Sequence, residues 1–96
     1  MPMSTKTVAV FYQDGCPACH EYLPRFRRVA VKYRPFVAIK GANMAKPESH
    51  AAADQYKIKA APTTLILDAA GRVLRREEGA LDEATIEAIF VEAVKP

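Results

Sequence analysis

The sequence predicts an α/β sandwich built on a four-stranded mixed sheet, with elements in the order β-α-β-α-β-β-α. Short apolar runs rich in β-branched and aromatic residues alternate with stretches of helical period, the pattern of strands joined by crossover helices. The last two extended runs lie one tight turn apart, as in an antiparallel hairpin, so the sheet should be mixed. At 96 residues and 50% hydrophobic content the chain can bury one core but not two, and residues 1–96 are expected to form a single domain. Right-handed crossovers then place the first strand in the middle of the sheet.

Thr7–Tyr12 (T-V-A-V-F-Y) shows little polar alternation and reads as a strand covered on both faces. Gln13-Asp14-Gly15 breaks it. A helical period begins at Pro17, a residue suited to a first turn whose N–H groups lack helical partners in any case. Cys19, Tyr22, Leu23, Phe26, Val29, Ala30 and Tyr33 fall on one face of this helix. Pro24 inside it removes one N–H and predicts a kink. Pro35 is expected to end the helix and Phe36–Lys40 (F-V-A-I-K) to form a second buried strand, with Gly41–Lys46 as a loop. The Ala-rich stretch Pro47–Tyr56 reads as a short helix and Thr63–Asp68 as a third strand. Ala69-Ala70-Gly71 is a tight turn, and Arg72–Glu77 returns as a polar edge strand. Asp82 is placed to cap a last helix, Glu83 suits the positive end of its dipole, and Ile86, Ile89, Phe90, Ala93 and Val94 form its apolar face.

Charged residues make up 26% of the chain and the net charge is +3, which argues against wholesale disorder and gives no indication of nucleic-acid binding. Arg25, Arg27, Arg28, Lys32 and Arg34 form a basic run on or after the first helix. Such a run is ordinarily a solvated helix face, and otherwise a docking surface for an acidic partner. No apolar window approaches the about 20 residues of a membrane span. The apolar run Val8–Tyr12 also falls short of the roughly 7–15 residues of a signal peptide. The expectation is a cytoplasmic monomer with no membrane and no nucleic-acid partner.

The only two cysteines, Cys16 and Cys19, are separated by two residues. A bridge between them would close a tiny loop and remove little entropy from the unfolded chain, so reactivity explains the pair better than stabilisation. C-P-A-C follows a buried strand and opens a helix. At that place unpaired backbone N–H groups and the positive dipole end point at the Cys16 sulfur and favour thiolate over thiol. Cys19 lies almost one turn on, facing the core. The pattern suggests a cycle in which Cys16 attacks a substrate disulfide and Cys19 resolves the mixed disulfide.

With these residues in view, the chain resembles the thioredoxin superfamily over nearly its whole length. C-P-A-C matches the C-x-x-C motif, Pro24 matches the proline five residues after the second cysteine, and Tyr56–Thr64 (Y-K-I-K-A-A-P-T-T) is similar to the segment that carries the cis-proline. Gly71 and Gly79 fall where that family places hairpin and post-strand glycines. The resemblance implies a thioredoxin-like three-layer α/β/α sandwich that reduces protein disulfides and needs no bound cofactor. It implies a cis Ala61-Pro62 bond, with Gly15, Pro17, Ala61 and Pro62 lying against the substrate. It also implies disulfide-containing proteins as partners and a reductase or glutathione as electron donor. Some positions depart from the pattern. Gly15 stands where thioredoxins carry tryptophan, and Gln13 where glutaredoxins, which share C-P-x-C, carry lysine. Val10 replaces a buried acid, and the first strand and helix of full-length thioredoxins have no counterpart.

Other readings of the same residues remain open at this point. C-P-A-C-H (Cys16–His20) spells the haem-attachment motif, which would call for export and a second axial ligand. Cys16, Cys19, His20 and a distant His50 could be zinc ligands, although a second C-x-x-C is missing. His20 is otherwise a solvent-facing residue, or one that tunes the Cys16 thiolate. The two cysteines could also be inert core thiols, and the fold a redox-inactive interaction module.

Overall fold

The computed structural model describes residues 4–96. Its elements are β1 (Thr7–Tyr12), α1 (Pro17–Ala30), β2 (Ala38–Asn43), α2 (His50–Gln55), β3 (Thr63–Leu67), β4 (Val73–Glu78) and α3 (Glu83–Val94). The strands form one open sheet in the order β2-β1-β3-β4. β1 runs parallel to β2 and antiparallel to β3, and β3 runs antiparallel to β4. β1 is therefore internal, as right-handed crossover requires.

Period-two alternation along β1 assigns its side chains to two cores. Val8 and Val10 join Tyr22, Phe26, Val29, Ile86, Ile89 and Phe90 under α1 and α3. Ala9 and Phe11 join Leu65 and Leu67 on the opposite face, where Ala52 and Ala53 of α2 and Tyr56 cover them. Two cores on opposite faces of one sheet make the three layers.

The helix termini follow from their residues. Cys16 caps α1 with Pro17 in the first turn, and Asp82 caps α3 by accepting the Thr85 N–H at 2.8 Å. Pro24 lies inside α1 without dividing it, and leaves the carbonyl of His20 without its usual donor four residues on. α1 ends at Ala30, earlier than the expected stop at Pro35. Pro35 and the restriction it places on Arg34 tighten the preceding residues into turns, with N–H bonds from Lys32 to Val29 (3.2 Å) and from Tyr33 to Ala30 (3.0 Å). Tyr33 still packs as the helical period implied, stacked on Phe90 with ring centroids 5.2 Å apart.

The second strand departs most from expectation. It begins at Ala38 rather than Phe36, and it is a half-exposed edge rather than a buried strand. Phe36 is held in the turn by its N–H bond to the Tyr33 carbonyl (2.8 Å) and is 40% exposed. Parallel pairing from Thr7↔Ala38 to Tyr12↔Asn43 carries the strand through Gly41 and Asn43, which the sequence reading placed in a loop. Both residue types are poor strand formers, and the ladder offered by β1 overrides that preference. The segment Pro47–Tyr56 likewise divides into a 3-10 turn at Pro47–Ser49 and the shorter α2. β4 is the other edge, and the hairpin before it turns on Gly71 at φ +83°.

Candidate active site

β1 ends at Tyr12, and the turn beyond it closes when the Cys16 N–H donates to the Gln13 carbonyl at 3.3 Å. Gly15 inside that turn adopts φ +78°, a conformation open to glycine at little cost. Cys16 is then extended (φ −92°, ψ 111°) at the N-terminal end of α1, and its Sγ accepts the Cys19 N–H at 3.1 Å. A sulfur thus occupies the capping position that a serine or aspartate oxygen usually fills. A backbone N–H at a helix start points at the sulfur.

Both cysteines are free thiols with different surroundings: Cys16 is half-buried and Cys19 is 2% exposed. Burial pushes the Cys19 thiol from an ordinary 9.0 up to about 11, helped by its hydrogen bond with the Cys16 side chain, while backbone hydrogen bonding at Gln13 pulls the other way. Cys19 therefore holds its proton at neutral pH. Val10, at the position where the resemblance led one to look for a buried acid, is buried and apolar.

A second segment meets Cys16 from across the sheet. The Ala61-Pro62 bond is cis, the isomer the resemblance implies, and the Cys16 thiol donates to the Ala61 carbonyl at 3.5 Å. Pro62 is buried and Ala61 half-buried, while Gly15, Pro17 and His20 are exposed around the cysteine turn. Two hydrogen bonds brace this segment: Gly79 N–H to the Pro62 carbonyl at 2.8 Å and Thr63 Oγ1 to the Ala60 carbonyl at 2.6 Å. The folded chain brings Cys16, Cys19, Ala61 and Pro62 together. The possible zinc ligands do not converge: among the described residues no group of three His, Cys, Asp or Glu side chains is placed to hold a metal ion.

The sequence reading did not single out Thr63 and Thr64, both buried, or the hydroxyl of Tyr22. Tyr22 OH and Thr64 Oγ1 share a buried hydrogen bond of 2.8 Å that ties α1 to β3 next to the cis-proline. The signal was available in two consecutive threonines directly after Ala-Pro.

The comparisons agree with this geometry. A family model described as a thioredoxin-like domain matches residues 3–93. No curated protein gives a significant match. Among solved structures, a Malassezia sympodialis thioredoxin is 19% identical, with 97% of this chain and 78% of that chain covered and a TM-score of 0.83. The Fasciola hepatica thioredoxin is 21% identical over 95% of this chain and 83% of its own, with a TM-score of 0.80. The germline-specific thioredoxin Deadhead of Drosophila melanogaster is 25% identical over 93% of this chain and 81% of its own, with a TM-score of 0.78. With its closely spaced cysteine pair at a helix start beside a cis-proline, the chain belongs to the thioredoxin-like family and is a redox-active, oxidoreductase-like protein rather than an inactive module.

Proposed function

We propose that this protein reduces protein disulfides by dithiol exchange, with Cys16 as nucleophile and Cys19 as resolving thiol. The observation that carries this reading is the unequal setting of two sulfurs in one helical turn. Cys16 Sγ receives the Cys19 N–H at 3.1 Å at the helix start, while Cys19 sits behind it, buried and protonated. In the first step the Cys16 thiolate attacks a substrate disulfide; that bond breaks, a mixed disulfide forms, and the departing sulfur takes a proton. Cys19 then loses its proton and attacks the Cys16 sulfur, which releases the second substrate thiol. The protein is left with a Cys16–Cys19 disulfide, and the substrate has gained two electrons and two protons.

The backbone around Ala61 and Pro62, with Gly15 and Pro17 opposite, is the surface against which an extended substrate would lie. We assign to His20, exposed one residue beyond Cys19, the part of tuning the charge at Cys16. Both electrons reside on sulfur, so the cycle calls for an external dithiol or thiol donor, a reductase or glutathione, and for no bound cofactor. A pair of reactive thiols without structural disulfides suits a reducing compartment such as the cytoplasm. No described helix is long and apolar enough to cross a membrane.

The test is turnover of a model protein disulfide with dithiothreitol as electron source. The wild-type protein should accelerate reduction and Cys16→Ser should fall to the uncatalysed rate. A Cys16→Ser protein that keeps its turnover would remove Cys16 from the nucleophile's role.

A further inference from the structure

Two hydrogen bonds join α1 and its cap to the segment that carries Ala61 and Pro62. At the start of the helix the Cys16 thiol donates to the Ala61 carbonyl at 3.5 Å, and further along Tyr22 and Thr64 share a bond of 2.8 Å. Among the described residues no other hydrogen bond links α1 to residues 60–67. The two fastenings are spaced alike on both elements. From Cys16 to Tyr22 the helix rises about 9 Å, and from Ala61 to Thr64 the chain reaches up to about 10 Å. Cys19 and Pro62 fall between the two bonds, one on each element.

The bonds differ in permanence. Cys16 donates only while its sulfur carries a proton, and as a thiolate, in a mixed disulfide or in a Cys16–Cys19 disulfide it has none to give. Through most of the dithiol cycle Tyr22–Thr64 is therefore the one hydrogen bond left, among the described residues, between α1 and this segment. Its partners are 0% and 1% exposed, out of reach of competing water. Thr64 is fixed in the interior of the sheet by pairing with Val10 on one side and Glu77 on the other. The Tyr22 ring packs on Phe26 at a centroid distance of 5.8 Å.

Resolution of the mixed disulfide depends on this register. Cys19 must approach the Cys16 sulfur along the line of its bond to the substrate sulfur, because the leaving sulfur departs opposite the attacking one. α1 places the two protein sulfurs, whereas the backbone at Ala61 and Pro62 places an extended substrate. We infer that the Tyr22–Thr64 hydrogen bond sets this alignment, which makes Tyr22 and Thr64 positioning residues for resolving a mixed disulfide with an extended peptide. The inference rests on the dithiol reading above. In the step concerned Cys19 gives its proton to water and its sulfur bonds to Cys16. The Cys16–substrate bond breaks, and the released substrate sulfur takes up a proton.

The test is rapid mixing of the reduced protein with two symmetrical disulfides, followed by acid quench and mass spectrometry. One disulfide joins two copies of an extended peptide of about seven residues with a central cysteine. The other is bis(2-hydroxyethyl) disulfide, too small to lie along the segment. The first-order conversion of mixed disulfide to oxidised protein is measured for each. Y22F/T64V removes both hydroxyls at nearly constant volume and leaves neither partner unpaired, so its urea midpoint should stay close to that of wild type. Its resolution of the peptide adduct should slow at least about tenfold more than its resolution of the hydroxyethyl adduct. Should Y22F/T64V be unstable, Tyr22→Phe alone carries the same expected ratio. Thr64→Ser, which keeps a hydroxyl, should resolve the peptide adduct much faster than Thr64→Val. Equal slowing of both adducts, or peptide resolution at the wild-type rate in a folded Y22F/T64V protein, would overturn the inference. A wild-type protein that forms no adduct with either disulfide would remove the dithiol reading itself, and this inference with it.

Discussion

Cys16 and Cys19 are three positions apart, and their surroundings differ. The outer sulfur receives a backbone N–H at a helix start, while the inner one is sealed from water, and its thiol is pushed up to about 11. This has a consequence for stability. An unfolded thiol titrates near 9.0 and the folded Cys19 near 11, so between those values the unfolded chain holds fewer protons. The contribution is fully present below about 9 and is lost as pH rises through about 11, a change on the order of 2 kcal/mol. Urea midpoints of the reduced protein should fall through that window, and those of Cys19→Ala should fall less. Parallel curves for the two proteins would show that Cys19 is not so perturbed. At this scale the cysteines and the Ala-Pro step were legible, because spacing and neighbours in the chain carry them. The Tyr22–Thr64 hydrogen bond was not: its partners are 42 residues apart, and Tyr22 sits at ordinary core spacing.

Among the elements, α3 was the most legible, since Asp82 and the apolar face after it are both local signals. Asp82 accepts the Thr85 N–H, and hydrogen bonding to Thr85 holds its carboxyl below the usual 3.8. A depressed folded value means that this stabilisation is present above about 3.8 and is lost as pH falls through the folded value. Asp82→Ala should lower Tm at pH 7, and the gap to wild type should close in strong acid. A gap unchanged by acid would assign the loss to something other than the charged cap. β2 and the end of α1 were poorly legible for a shared reason. Phe36 and Val37 look like the start of a strand, but Pro35 and the turns from Val31 onward set where the chain re-enters the sheet, and β1 sets how far it then runs. That ladder is a tertiary contact, invisible to local propensity.

For the whole molecule, the order of strands and helices fixed the three layers before any contact was known, whereas apolar content could not tell an edge strand from a central one. α1 and α3 share one core around Phe90, which is fully buried and meets the rings of Phe26 at 5.5 Å and Tyr33 at 5.2 Å. Phe90→Ala should therefore cost about 3–5 kcal/mol in chemical denaturation, the usual range for removing a buried ring. A cost under about 1 kcal/mol would mean that the two helices do not depend on this contact. The dithiol cycle is itself a property of the assembled fold, since it needs the turn after β1, the start of α1 and the cis-proline segment before β3 in one place. Mass spectrometry of Cys19→Ser mixed with a disulfide-containing protein examines it most directly. A mixed disulfide mapped to Cys16 is the predicted result, with none formed by Cys16→Ser. A folded Cys19→Ser protein that accumulates no adduct, or a Cys16→Ser protein that is trapped as readily through Cys19, would contradict the assignment of nucleophile and resolving thiol.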